Sequence, residues 1–139
     1  MYSEAKHQNM AATSKLEAVV KAKCPKCRRG NIFSGPMYGI KLQKTNERCS
    51  NCHFRFEMEP GYFYAAMFVS YALNVAEIVA VAIITYLILG TMEYEDIWIY
   101  LASIVGATII LAPFNYRYSR VLLLHYLSPK VKYDPSLDK

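Results

Sequence analysis

The sequence predicts a small α-helical membrane protein, with two spans joined as a hairpin behind a compact N-terminal module of short β elements and ahead of an amphipathic C-terminal helix. Three observations predict this. All 16 Lys and Arg lie at or before Arg55 or at or after Arg117, so the block from Phe56 to Tyr116 has no basic side chain. A soluble domain needs mixed charge over its whole surface, and a block this long without it argues for lipid as the solvent. Inside the block lie two apolar runs, and ahead of it stand four cysteines in two CxxC pairs.

Residues 1–20 are read as a flexible tail, with a short helical stretch from Lys15 that places Leu16, Val19 and Val20 on one side. No apolar run of signal-peptide length occurs there, so the N-terminus is expected to stay in the reducing compartment where it is made. Residues 21–58 form the cysteine module, in which short apolar pieces alternate with Gly30, Gly35, Pro36 and Gly39. Pro60-Gly61 then punctuates the chain. Residues 62–89 form a mostly apolar run with a single charge, Glu77, and at ~1.5 Å per residue they exceed the ~30 Å of a hydrocarbon core. Gly90 is a natural helix terminator, and residues 90–96 form a short acidic loop. The second span covers residues 97–116, with Pro113 near its end predicting a kink or change of direction. Residues 117–139 mix Val121–Leu124 and Leu127 with Arg117, Arg120, His125 and Lys130, which suits a helix at headgroup level followed by a tail.

Orientation follows from the basic residues, which crowd both flanks and are absent from the loop. The expected placement is a multi-pass protein of the bacterial inner membrane, with both termini cytoplasmic and the loop periplasmic. Tyr62, Phe63 and Tyr64 at one boundary, and Tyr94, Trp98 and Tyr100 at the other, supply the aromatic belts.

The pairs Cys24/Cys27 and Cys49/Cys52 are separated by 21 residues. Two such turns facing each other supply four thiolates at ~2.3 Å from a tetrahedral zinc ion and leave no position open for water, so the expected role is structural. A module this small cannot bury enough apolar surface alone, and metal binding is expected to contribute its folding free energy. Other chemistries fit the pattern less well. Cys49–His53 matches the haem-attachment pattern CxxCH, but that needs an exported domain and leaves Cys24 and Cys27 unused. A redox dithiol expects a thioredoxin-like pattern, whereas copper or an iron–sulfur cluster suits soft thiolates. The many Lys and Arg of the module suit anionic headgroups better than nucleic acid, because the module sits only a few residues from a span.

An ionised Glu77 near mid-span is costly, so it should be protonated, paired or turned toward protein. Ser70, Asn74 and Glu77 share one helical face. Ala72, Ala76 and Ala80, together with Ala102–Gly106 and Ser103–Ala107, form small-residue stripes expected to pack the two spans together. No nucleophile–base pair or phosphate loop occurs, so no enzymatic activity is expected.

The elements CPKCRRGNIFSG and CSNCHFRFEMEPG, followed by two spans, resemble the bacterial domain of unknown function 983 family across about residues 22–128. Arg28 and His53 stand where a glycine often follows a knuckle cysteine, and the tail KYDPSLDK is similar to members from Bacteroidetes-type bacteria. The resemblance implies a zinc-ribbon inner-membrane protein, with an accessory or assembly role beside a membrane complex such as a respiratory oxidase. Thiolate-based metal handling for a membrane enzyme and membrane-tethered nucleic-acid binding are the alternative expectations.

Overall fold

A computed structural model describes residues 13–39 and 43–138. The chain opens with helix α1, Lys15–Val20, capped by Ser14, whose hydroxyl accepts from the Glu17 amide at 3.1 Å. Part of the expected tail is therefore helical, and residues 1–12 lie outside the described residues. Ala18, rather than Leu16 or Val20, is the buried residue of α1.

Two-residue strands β1 (Phe33–Ser34) and β2 (Lys44–Thr45) pair antiparallel, with Phe33 opposite Thr45. Isolated bridges Lys23–Asn31 and Arg48–Arg55 close the loops that carry the cysteines. Helix α2, Tyr64–Leu89, then runs 26 residues and ends at Gly90. Gly90 takes a left-handed φ of 72°, and its amide donates to the Tyr86 carbonyl, a conformation that costs a glycine little. A single 3-10 turn, Tyr94–Asp96, leads into α3, Ile97–Leu122. Both helices are long and apolar enough to cross a membrane.

The end of α3 departs from the sequence expectation. The helix neither stops at Tyr116 nor gives way to a separate interfacial helix; it runs through Pro113 and continues as a π-type turn, Leu123–Leu127. A proline removes one intrahelical donor and crowds the preceding turn. The acceptor freed here is the Ile109 carbonyl, and the module binds the helix at carbonyls close to it. Tyr38 Oη donates to the Ile110 carbonyl at 3.0 Å, and Gln43 Nε2 donates to that of Pro113 at 3.2 Å. Beyond the proline, Val121 and Leu124 are buried in one cluster with Ala22, Ile32, Phe33, Phe56 and three cysteines. The apolar residues expected to face lipid thus complete the core of the cysteine module. His125 reinforces this docking through a 2.9 Å hydrogen bond between Nε2 and the Lys23 carbonyl.

Of the small-residue stripes, Ser103–Ala107 of α3 meets α2 through Ser103, whereas the alanine stripe of α2 does not face α3. Ala72, Ala76 and Ala80 are exposed, and a Cβ placed on Gly106 would touch nothing within 4 Å. The face of α2 turned toward α3 is the polar one. Thr85 is buried and shares a 3.2 Å hydrogen bond with Ser103 of α3. Away from water an unmade hydrogen bond costs more than the close packing of small residues returns, so the polar side chains decide which faces meet.

Candidate metal centre

Each cysteine pair sits on a turn of the same design. In the first, the Cys24 amide donates to the Gly30 carbonyl and the Arg28 amide donates back to the Cys24 carbonyl, both at 2.8 Å. In the second, the Cys49 amide donates to Phe54 and the His53 amide donates to Cys49, at 2.8 and 3.0 Å. Such turns require a left-handed residue directly after the second cysteine. Arg28 and His53 adopt it, with φ of 55° and 56°, at a cost of ~1 kcal/mol each relative to glycine.

The two turns bring all four sulfurs within 4.8 Å of one another. Cys24 Sγ lies 3.8 Å from Cys52 Sγ, and Cys27 Sγ lies 3.6 Å from Cys49 Sγ. Four sulfurs at ~2.3 Å from a central ion would stand ~3.8 Å apart, so the spacing suits a tetrahedral metal and is far too long for a disulfide. Gly30 makes the enclosure possible, since a Cβ there would sit 2.2 Å from Cys49 Sγ.

Electrostatics divide the thiols. Burial pushes the Cys24 thiol well above the usual range and takes Cys52 up to about 11. Burial opposes charge on Cys27 too, but hydrogen bonds from the Gly30 and Arg29 amides outweigh it and draw that thiol down to about 6. The remaining protons leave when a cation arrives. Cys24, Cys27 and Cys49 are sealed at 0 to 1% exposure, so Cys52 forms the accessible edge.

A strap formed by the C-terminal segment crosses both turns. The Asp134 amide donates to the Lys26 carbonyl at 3.0 Å, and Asn51 Nδ2 donates to the Leu137 carbonyl at 3.0 Å. Buried Asp138 accepts from Arg29 Nε at 2.7 Å and from the Thr13 amide and Tyr133 hydroxyl at 2.9 Å. Arg28 stacks 3.6 Å from the Tyr133 ring centroid. The sequence reading missed this strap, for which the signals were Tyr133 and Leu137 in an otherwise polar tail, Leu137 packing against the buried cluster.

A family model described as "Protein of unknown function (DUF983)" matches residues 41–127, more than half of the chain. The chain belongs to the DUF983 family. The match takes in the second cysteine turn and both long helices, while Cys24 and Cys27 lie ahead of it. No curated protein and no solved structure matches the chain.

The other residues singled out from the sequence meet on the seam between the helices of this DUF983 protein. Asn115 of α3, 5% exposed, donates from Nδ2 to Asn74 Oδ1 at 2.5 Å and to Glu77 Oε2 at 2.7 Å. Asn74 and Glu77 therefore share a donor from the opposite helix instead of bonding to each other. Ser70 lines the same side, in a groove with Asn74 and Asn115. Asn115 escaped the sequence reading, although an amide inside the second apolar run was the signal for it. The second oxygen of Glu77 is buried without a hydrogen-bond partner among the described residues.

Proposed function

We propose that this DUF983 protein is a non-enzymatic accessory or assembly subunit of the bacterial inner membrane. In this reading α2 and α3 span the bilayer, both termini are cytoplasmic, and the four cysteines hold one structural zinc ion. The observation that carries the reading is the closed cysteine cluster, whose core is completed by Val121 and Leu124 from the end of α3. A metal module built into a helix hairpin in this way has a fixed attitude to the membrane surface, as a docking platform requires. The outward faces of the hairpin are apolar, with Phe68 at 79%, Ile88 at 77% and Trp98 at 74% exposure, which suits lipid or the helices of a partner. The occupant we favour is another integral membrane protein or complex, a respiratory oxidase being the kind that the family resemblance suggests. Thiolate-based metal handling fits less well, since three of the four sulfurs are sealed from exchange.

The test is purification of the full chain in mild detergent, with metal analysis and identification of co-eluting proteins. One zinc per chain that survives mild chelator competition, together with a stoichiometric membrane partner, is the expected result. A chain that emerges alone from every mild detergent would sink the docking role. Modification of the cysteines in intact cells by reagents unable to cross the membrane would sink the topology.

A further inference from the structure

Three guanidinium groups converge where the cysteine module meets the helices. Arg48 and Arg55 pair directly across an antiparallel bridge, so their side chains leave the same face. Like charges placed opposite one another destabilise the pairing. Arg120 of α3 lines the same cleft, which has a volume of about 520 Å³. Glu47 and Glu57 line it too, yet neither forms an ion pair with these arginines among the described residues, whose pairs are Lys21–Glu17, Arg29–Asp138 and Lys130–Glu59. Arg120 is only partly satisfied. Its Nη1 donates back to the Tyr116 carbonyl at 3.1 Å and its plane stacks 3.7 Å from the Tyr116 ring, but its Nε is buried without an acceptor. The cluster has the composition of an anion site whose anion comes from outside the protein.

The cleft continues between the helices. Phe63, Tyr116 and Arg120 also line a groove of about 460 Å³ between α2 and α3, walled further by Ala66, Met67 and Ala112. Counting from Ile97 at ~1.5 Å per residue, Arg120 stands ~35 Å along α3, just past the depth of a hydrocarbon core. Charge at headgroup depth beside a groove along the helices whose walls include Phe63, Ala66, Met67 and Ala112 as well as Ser70, Asn74 and Asn115 is complementary to an amphiphile rather than to a free anion.

We propose that cleft and groove together hold one anionic glycerophospholipid, with its phosphate between Arg48, Arg55 and Arg120 and an acyl chain laid along α2 and α3. This rests on the reading that the two helices lie in a bilayer.

The test is native mass spectrometry of the full chain in mild detergent, titrated with phosphatidylglycerol or with phosphatidylcholine of matched acyl chains. The expected result is one phosphatidylglycerol per chain, bound at least tenfold more tightly than phosphatidylcholine. An Arg48→Gln/Arg55→Gln double variant and Arg120→Gln should each weaken that lipid at least tenfold while metal content stays unchanged and melting does not fall. Ala112→Phe, which fills the groove at an exposed position, should weaken lipid binding with all three arginines intact. Equal binding of the two lipids overturns the proposal, as does indifference to Ala112→Phe or to the arginine changes. Displacement by millimolar inorganic phosphate also overturns it, because that result marks a free-anion site. A chain that stays soluble and monomeric without detergent refutes the membrane reading instead, and is scored before any lipid is added.

Discussion

Substituting Gly30 by alanine is expected to cripple metal binding although no ligand is removed. A Cβ at this position would lie 2.2 Å from Cys49 Sγ, where ordinary contacts between such atoms begin near ~3.5 Å. More than ~1 Å must be found, and it cannot be shared out, because the Ser50 amide is already 3.4 Å away on the same side. Overpacking a core costs ~1–3 kcal/mol, and a metal site tolerates displacements of only about 0.2 Å in its ligand distances. Moving Cys49 out of the tetrahedron should raise the metal dissociation constant at least ~100-fold, equivalent to ~2.8 kcal/mol. If zinc is held as proposed, its binding stabilises the folded state by mass action and the variant should also melt lower at equal zinc. The assay is competition against a chromogenic chelator, with thermal unfolding of the same samples in detergent. Gly106→Ala is the control, since its Cβ would meet nothing within 4 Å and the change should be neutral or slightly stabilising. Wild-type zinc affinity in Gly30→Ala would refute the reasoning that this glycine exists to admit the sulfur.

Leu124→Ala, at a residue 1% exposed in the core shared by helix and cysteine module, should cost ~2–5 kcal/mol by denaturant titration and should speed metal release. His53→Gly should raise stability by up to ~1 kcal/mol, since the exposed imidazole occupies a left-handed position that glycine adopts without strain; an unchanged or lower melting temperature contradicts this. Acid should free the strap. Burial works against charge on Asp138, but Tyr133, Thr13 and Arg29 hold its carboxyl below the ordinary aspartate range. A depressed folded value means that the contribution is present above the unfolded value and is lost as pH falls through the folded one. Protection factors over residues 130–138, taken relative to intrinsic exchange at each pH, should therefore be high at neutral pH and fall below pH ~4, and Asp138→Asn should lower them already at neutral pH.

The coarse architecture could be read from the sequence because it rests on signals that tolerate imprecision. An apolar run needs only sufficient length, and α2 begins at Tyr64, two residues inside the run that predicted it. Two CxxC turns need only to face each other for their sulfurs to cluster. What could not be read depends on which of several apolar surfaces meet. Val121 and Leu124 fit a lipid-facing helix as well as a protein core, and only the three-dimensional position of Ile32 and Phe56 decides between them. The alanine stripe of α2 and its Ser70–Asn74–Glu77 face were equally periodic. The partner residue that selected the polar face, Asn115, lies 38 positions beyond Glu77 and has no periodic signature of its own. Pro113 did not mark the end of its helix, and the loop residues Tyr38 and Gln43 that bond to carbonyls around it lie 70 or more positions away in the sequence.

The sharing of Val121 and Leu124 between the long helix and the cysteine core imposes an order on biosynthesis. Cys24 to Cys52 leave the ribosome early, yet the side chains that finish their surroundings emerge only after both long helices have been made. A nascent chain stalled before residue 121 therefore carries four thiols without the two side chains that complete their core, and on the proposed reading durable metal capture would follow the folding back of the helix hairpin. On that reading, ion loading would double as a checkpoint on insertion.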